Sequence, residues 1–382
     1  MRRYFIILTT LLLLYHISAV PSLAVVDPLA QPNNKFGIHI LFPNEIDEAA
    51  SLVNSNNGDW GYVVIPIQAG DMDVPKWQQF MDMCKQKHII PILRLATEGD
   101  YFNTSVWRKP DAVDILDFAN FLNSLSWPVK NRYVIVFNEV NRADEFGGVV
   151  DPASYAKLLS YAVTVFKSIN PDFFIIPAGM DNAAANTPVS MNEYDYFRAM
   201  HAAVPGIFNQ IDGLASHSYP NPGFAQAPSV INGESIASFQ FEKNLIQTMT
   251  NKQLPVFITE TGWSTDSIPG TVIANYYQQA FSTIWNNPYI VTVAPFLIQA
   301  NSGPFVPFSF ITAANAQTPE YTTIASMPKV KGSPVISSKV LGEATTKVKI
   351  LLVQNFTHVV NNVPQIHIAS TTKEFFKWLL GL

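Results

Sequence analysis

Residues 133–139 read YVIVFNE, and residues 255–260 read PVFITE. Each stretch is an apolar, β-branched run that ends in a glutamate, Glu139 in the first and Glu260 in the second. Runs of this composition are typical of buried strands, and a charge at the end of a buried strand is expensive to hold. Two such charges in one chain therefore indicate a pair of reactive groups.

The two runs belong to a pattern in which eight apolar runs alternate with helical segments. The predicted strands cover residues 35–42, 62–68, 89–96, 133–138, 173–178, 211–216, 255–259 and 291–298. The predicted helices cover residues 44–50, 75–87, 111–125, 152–169, 192–203, 235–250, 272–285 and 319–325. This alternation predicts an α/β fold, either an open doubly wound sheet or an eight-stranded barrel.

The strand ends favour the barrel. The first run ends ILFPN, without the Gly-x-Gly-x-x-Gly turn of a dinucleotide-binding sheet. In a barrel the carboxyl ends of all strands converge on one face, where such enzymes keep their sites. We therefore predict a (β/α)8 TIM barrel over residues 25–326. Polar side chains recur at these ends, namely His39, Gln68, Arg94, Asn138, Glu139, Asp181, His217, Tyr219, Glu260 and Gln299.

The two ends of the chain differ from this pattern. Arg2 and Arg3 precede an apolar run over residues 4–15, and Ser22-Leu23-Ala24 resembles a signal-peptidase site. We predict a signal peptide at residues 1–24 and a secreted or cell-surface protein. The alternative is an uncleaved membrane anchor, although the run falls short of the ~20 residues that span a bilayer. Residues 327–382 are predicted to form a short C-terminal appendage or tail.

The composition of the chain indicates which kinds of molecule the protein is expected to bind. The net charge is −5, and no basic stripe with interleaved aromatic residues occurs, so nucleic acid is not expected. A neutral polymer suits such a surface better. Cys84 is the only cysteine, so no intramolecular disulfide can form. No metal is expected, because the first strand carries His39 alone and lacks the paired histidines of metal-dependent barrel hydrolases.

The pair of carboxyls has the chemistry needed to cleave a glycosidic bond. One carboxylic acid protonates the departing oxygen, and a second carboxylate meets the cationic anomeric carbon. Carboxyls about 5 to 5.5 Å apart retain the stereochemistry, whereas a gap of ~6.5 to 9.5 Å admits water and inverts it. The sequence leaves both distances open.

Asn138-Glu139 after strand four and Glu260 at the end of strand seven resemble glycoside hydrolase clan A, the retaining (β/α)8 glycosidases. The residues around both glutamates are similar to β-1,3-glucanases, whereas many cellulase-like members have proline after the acid. The resemblance implies Glu139 as general acid/base, Glu260 as nucleophile and Asn138 as hydrogen-bond partner of the sugar 2-hydroxyl. It implies a β-linked polysaccharide or oligosaccharide as substrate and no cofactor.

The resemblance also implies roles for neighbouring polar residues. His217 and Tyr219 resemble the clan's residue that hydrogen-bonds the nucleophile, and such a bond favours ionised Glu260. Apolar neighbours such as Phe137 favour protonated Glu139. These different environments would make Glu139 the acid and Glu260 the nucleophile.

Other candidates are less specific. Arg94 could hold Glu260 ionised by its charge, and His39 is expected to line the site. Trp263 offers a flat face for a sugar, with Trp107 and Trp60 as looser candidates. Clan members often end strand eight with tryptophan. Here the positions that could substitute are Phe296 and Gln299.

Two other interpretations of the protein's function remain open. A catalytically impaired carbohydrate-binding or cell-surface barrel is the alternative to an enzyme. A barrel hydrolase of other chemistry is disfavoured, because the chain has neither a His-x-His strand nor a Gly-x-Ser-x-Gly elbow. Asp144 and Glu145 are expected to be solvated loop charges, although either could be the acid if the strand ended earlier.

Overall fold

The computed structural model describes residues 25–337. Eight parallel strands alternate with helices, as the sequence predicts. Each of the eight predicted runs overlaps an observed strand, and together these strands make a TIM barrel. The strands are β1 Gly37–His39, β2 Gly61–Gln68, β3 Ile89–Ala96, β4 Arg132–Val136, β5 Phe173–Pro177, β6 Leu214–His217, β7 Val256–Glu260 and β8 Ile290–Val293.

The helices begin where the sequence supplies capping residues. The side chains of Asp73, Asp111, Asp151, Asn192 and Thr318 each accept a hydrogen bond from a free N–H in the first turn of the following helix. The helices are α1 Ile46–Val53, α2 Val74–Gln86, α3 Ala112–Ser124, α4 Pro152–Ile169, α5 Glu193–Ala203, α6 Ile207–Gln210, α7 Ser238–Gln247, α8 Gly270–Ser282 and α9 Pro319–Ser326.

The strands pair in sequence order, β1 to β5 in one run and β6 to β8 in another. Backbone contacts join the two runs at both edges. Phe36 bridges Val293 beside β1 and β8, and the amide of Asp212 donates to the carbonyl of Ile175 (2.9 Å) between β5 and β6. The order of strands is therefore circular, and every carboxyl end faces the same side.

The alternation of side chains along each strand separates two parts of the core. Tyr62 and Val64 of β2 point into the barrel and pack with Ile92, Tyr133 and Phe257 from other strands. The intervening side chains of β2, including Val63 and Ile65, point outward into the larger cluster beneath the helices. Both sets are buried, so the barrel interior is filled and the site must lie above it, among the loops.

Part of the predicted C-terminal appendage is described, and it lies against the barrel. Lys329 is buried and its Nζ donates to the carbonyl of Ile324 (2.6 Å) and to Ser55 (2.8 Å), while the amide of Lys130 donates to Val335 (2.8 Å). The predicted signal peptide, residues 1–24, and residues 338–382 lie outside the described residues, and the domain boundaries stay predictions. Within residues 25–337, no helix is long and apolar enough to cross a membrane.

Candidate active site

A cavity of about 470 Å³ opens at the carboxyl ends of the strands. This volume is within the range of ~300 to 1,000 Å³ of small-molecule sites. Glu139 and Glu260 both line it, together with Asn138, Arg94 and Tyr219 among the residues expected from the sequence. The strand-end position predicted for the two glutamates thus brings them to one cavity.

Glu139 enters the cavity through an unusual turn at the end of β4. Phe137 and Glu139 both have positive φ, +69° and +34°, which residues other than glycine rarely adopt. Such conformations cost on the order of 1–3 kcal/mol each and concentrate at functional sites. The turn is held by hydrogen bonds from the Glu139 amide to Gly179 (2.9 Å) and from the Arg142 amide to Glu139 (2.8 Å). The backbone is therefore constrained to present this carboxylate.

The two carboxylates are close together, with His217 between them. One oxygen of Glu139, one of Glu260 and a ring nitrogen of His217 all lie within 4.8 Å of one another. His217 Nδ1 is 2.9 Å from Glu139 Oε1 and 3.8 Å from Glu260 Oε2. Burial alone lowers the pKa of His217, but the charges of Glu260 and Glu139 outweigh it and raise the pKa above its ordinary value. The two carboxylates therefore favour the protonated form of the imidazole next to Glu139.

Glu260 is the last residue of β7 and has two further neighbours. The hydroxyl of Tyr219 donates to its Oε2 at 3.1 Å, as the sequence predicts for the residue that orients the nucleophile. Burial and the carboxylate of Glu260 raise the pKa of Tyr219 well above its ordinary value, so the phenol stays a donor. His39 Nε2 lies 3.5 Å from Oε1. Burial and the charges of Arg94 and His217 hold the pKa of His39 well below its ordinary value.

The surroundings of Glu139 are charged. Arg142 Nη1 is 3.5 Å from both Glu139 Oε2 and Asp181 Oδ2, and its Nη2 is 2.6 Å from Asp144 Oδ2. The guanidinium therefore joins three carboxylates on this side of the cavity. Burial raises the pKa of Asp181, and the charge of Glu139 adds to this effect.

The expectation of a solvated loop charge is wrong for Glu145, whereas the Asp144 side chain is 42% exposed. Both line the cavity, and Asp144 is paired with Arg142. Burial raises the pKa of Glu145 to about 7, and the charge of Glu139 adds to this effect. This burial of Glu145 could not be predicted, because the residue lies in an irregular loop where no periodicity marks the buried face.

Four of the predicted substrate-binding residues do not line the cavity, namely Trp263, Gln299 and the two histidines. Trp263 is 2% exposed, its Nε1 donates to the carbonyl of Gln226 (2.8 Å), and its ring packs against Tyr277 in the core. Gln299 donates to the carbonyl of Thr312 (2.9 Å) and holds its own loop together.

The two predicted histidines lie behind the carboxylates instead of contacting a substrate. His39 is fully buried, and His217 is 1% exposed. His217 is closer to Glu139 than to the expected partner Glu260. Arg94 lines the cavity on β3, and its Nε has no hydrogen-bond partner among the described residues; the expected effect of its charge on Glu260 stays a prediction. Asn138 lines the cavity with its Oδ1 unpartnered among residues 25–337.

Aromatic residues that the sequence did not single out form much of the remaining wall. Trp107, a looser candidate, lines the cavity, and so does Phe296 near the end of β8. Trp60 stacks on His88 elsewhere in the fold and takes no part. The unforeseen members are loop residues, whose positions no strand or helix period marks; they are Tyr101, Phe102, Phe224, Phe305 and Phe308.

Glu139, His217 and Glu260 are also the cluster within residues 25–337 whose ligand atoms are close enough to hold a metal ion. Two carboxylates and an imidazole are plausible ligands for a divalent transition metal. However, the hydrogen bond between His217 Nδ1 and Glu139 uses the nitrogen that faces the cluster. That hydrogen bond joins two of the three atoms that could ligate a cation.

Solved structures resemble this fold. One is a family 39 glycoside hydrolase from the gut symbiont Bacteroides cellulosilyticus WH2, with TM-score 0.54 and 16% identity over 79% of this chain and 64% of that protein. Another is a GH5_18 protein from Streptomyces cattleya, with TM-score 0.54 and 14% identity over 77% of this chain and 80% of that one. The fold is that of the TIM-barrel glycoside hydrolases.

The exo-β-1,4-mannosidase Op5Man5 from Opitutaceae bacterium strain TAV5 is a third neighbour, with TM-score 0.54 and 14% identity over 80% of this chain and 61% of that protein. No protein-family model and no curated protein sequence matches the chain. The resemblance to clan A is thus confirmed at the level of the fold. At these identities the neighbours establish architecture, and the reaction must be argued from the site.

Proposed function

We propose that this protein is a retaining glycosidase that hydrolyses a β-linked saccharide by double displacement. The observation that carries the proposal is the separation of the two carboxylates, whose nearest oxygens lie within 4.8 Å. Inverting glycosidases hold a water between carboxyls ~6.5 to 9.5 Å apart, and retaining ones need only about 5 to 5.5 Å. The shorter distance supports direct attack by a carboxylate on the sugar.

In the first displacement Glu260 attacks the anomeric carbon and Glu139 gives its proton to the glycosidic oxygen. The bond to the leaving group breaks as the bond to Glu260 forms, leaving a covalent glycosyl-enzyme. Tyr219 holds Oε2 of Glu260 at 3.1 Å, which leaves the other oxygen to attack. The fixed geometry supplies much of the rate, because the nucleophile does not have to be brought into position.

In the second displacement Glu139, now ionised, takes a proton from water, and the hydroxide attacks the anomeric carbon to release Glu260. The proton that Glu139 uses is shared with His217 across a 2.9 Å hydrogen bond. Since the pKa of His217 is raised, the pair retains this proton at a higher pH than a free imidazole would. His217 therefore acts through Glu139 as a positioning residue.

Asn138 is suited to bind the sugar next to the reacting carbon. Its Oδ1 is buried and has no hydrogen-bond partner among residues 25–337, although the side chain lines the cavity. A buried polar atom without a partner costs free energy, which a substrate hydroxyl would recover on binding. This assignment agrees with the role that the resemblance implies.

We also propose that the enzyme acts outside the cell. The support is the sequence of the first 24 residues, with Arg2 and Arg3 before an apolar run and small residues at the expected cleavage position. An extracellular setting also suits a β-linked polymer as substrate. Mass spectrometry of protein secreted by the native host would show a mature N-terminus near Val25, whereas an intact Met1 would contradict cleavage.

Product stereochemistry tests the reaction. We expect proton NMR of fresh reactions on a panel of aryl β-glycosides to show the β-anomer first, followed by mutarotation. Appearance of the α-anomer first would contradict double displacement. A folded protein that turns over none of the glycosides, nor β-1,3-glucan, cellulose, xylan, mannan or galactan, would favour the alternative of an impaired carbohydrate-binding barrel.

A further inference from the structure

Two long loops meet above strands whose own loops are short. The connections after β1 and β2 cover residues 40–45 and 69–73, whereas those after β3 and β8 cover residues 97–111 and 294–318. In the barrel β1 and β2 lie between β8 and β3. Two long loops that meet near β1 and β2 therefore cover this side of the cavity.

The loop after β3 is held over β2. Gln68, the last residue of β2, donates from Nε2 to the carbonyl of Gly99 at 2.8 Å. The ring of Tyr101 packs edge-on against Phe42, which follows β1, with centroids 6.1 Å apart. These contacts bring the next residue of the loop, Phe102, above the first two strands.

Phe102 meets the loop that follows β8. Its ring lies 5.9 Å from that of Phe305, and a Cβ on Gly303 would be 3.2 Å from its Cδ1, so the two loops are in direct contact. Phe305 in turn packs on Phe296 at 5.0 Å, and Phe296 on His39 at 5.0 Å. We call the contact between Phe102 and Phe305 the phenylalanine bridge. Through Phe296 and His39 the bridge connects to the residues that pack behind Glu260, and both of its rings line the cavity.

We propose that the phenylalanine bridge makes the cavity a dead-end pocket and that the enzyme therefore cleaves its saccharide from a chain end. This inference rests on the proposed function. An internal bond of a long polymer can reach Glu139 and Glu260 only if the chain continues past them on both sides. The bridge blocks the side over β1 and β2. Over β5, by contrast, the lining residue Ala183 is exposed to solvent, so the remainder of the substrate can leave there.

The mode of cleavage is measured on the full-length protein with soluble β-1,3-glucan, xylan, mannan and galactan, and with β-linked oligosaccharides labelled at the reducing end. We expect one short product from the earliest time points and little loss of viscosity per bond broken. We expect the oligosaccharides to be shortened from one end, by a constant step.

Removing both rings opens the blocked side. The double variant Phe102→Ala with Phe305→Ala should release a series of longer products, and its viscosity loss per bond broken should rise several-fold. Phe241→Ala is the matched control, because Phe241 is 40% exposed on α7 and does not line the cavity. Its product pattern should equal that of the wild type. Thermal unfolding of each variant establishes that the comparison is made between folded proteins.

Three outcomes would overturn the inference. A wild-type enzyme that releases a ladder of internal fragments with fast loss of viscosity contradicts the dead-end pocket while leaving the glycosidase proposal intact. A folded double variant with the wild-type product pattern contradicts the role of the bridge. A folded wild type that cleaves no aryl glycoside and no saccharide refutes the proposed function, and chain-end cleavage with it.

Discussion

Replacement of Gly179 by alanine tests the contact between Glu139 and His217 without touching either residue. Gly179 follows β5, and a Cβ built on it would lie 2.2 Å from His217 Cδ2 and 2.5 Å from its Nε2. Ordinary contact begins near 3.4 Å, so the imidazole must move by about 1.2 Å (3.4 − 2.2) if the backbone holds. Gly179 does not have a positive φ, so the alanine introduces a steric effect and no backbone strain.

A shift of this size should disrupt the geometry of the 2.9 Å hydrogen bond between His217 Nδ1 and Glu139, because the clash is on the edge of the ring opposite Nδ1. Misplacement of a catalytic constellation by about 1 Å can cost on the order of 10²-fold in rate. We therefore expect kcat/KM of Gly179→Ala to fall about 10²-fold on glycosides with poor leaving groups. Aryl glycosides with good leaving groups should lose less, since their departure needs little acid assistance. Overpacking should also lower the free energy of unfolding by ~1–3 kcal/mol.

The control is Gly70→Ala, because a Cβ there meets only the flexible side chain of Glu98 at 3.4 Å and Gly70 does not line the cavity. The assay compares initial rates of the wild type and both variants on glycosides with poor and with good leaving groups, well below the unfolding temperature. A folded Gly179→Ala protein with wild-type kcat/KM on poor leaving groups would refute the reasoning that His217 acts through Glu139.

Three further changes separate the roles of individual residues. Glu139→Gln should slow the cleavage of glycosides with poor leaving groups by about 10²–10⁴-fold and spare those with good ones; equal losses in steady-state rates on both would argue against Glu139 as the acid. Since the pKa of His217 is raised, wild-type kcat/KM should stay constant below that pKa and fall as the pH rises through it. In His217→Asn this fall in kcat/KM should occur at a different pH. An unchanged pH–rate profile would contradict a proton shared between His217 and Glu139. Trp263→Ala should lower the free energy of unfolding by about 3–5 kcal/mol in denaturant titrations, whereas Trp107→Ala should mainly weaken substrate binding; the reverse result would return Trp263 to the site.

The sequence predicted the regular part of this molecule well, for a physical reason. Strand and helix periods are repeated over many residues, so the eight apolar runs and the helical segments between them could be recognised. A barrel brings strand ends together whatever the loops do. Glu139 and Glu260 could be placed in one cavity on that ground alone.

The predictions failed for residues whose position depends on the path of a loop or on the direction of a side chain. Trp263 comes three residues after Glu260, yet the turn between them sends its ring into the core. Arg142 and Glu145 follow Glu139 at similar separations and lie in the cavity. Phe102 and Phe305 come from loops far apart in sequence. No local pattern distinguishes these cases, because each depends on tertiary contacts of irregular backbone.

Covalent trapping tests the central claim most directly. The wild-type protein is incubated with fluorosugars and cyclophellitol-type epoxides of several glycones, and adducts are located by intact-mass and peptide mass spectrometry. We expect a single adduct on Glu260, retained in Glu139→Gln with a probe that needs no acid and absent in Glu260→Ala. An adduct on another residue, or no adduct across the panel with a folded and active enzyme, would contradict the assignment of Glu260 as the nucleophile.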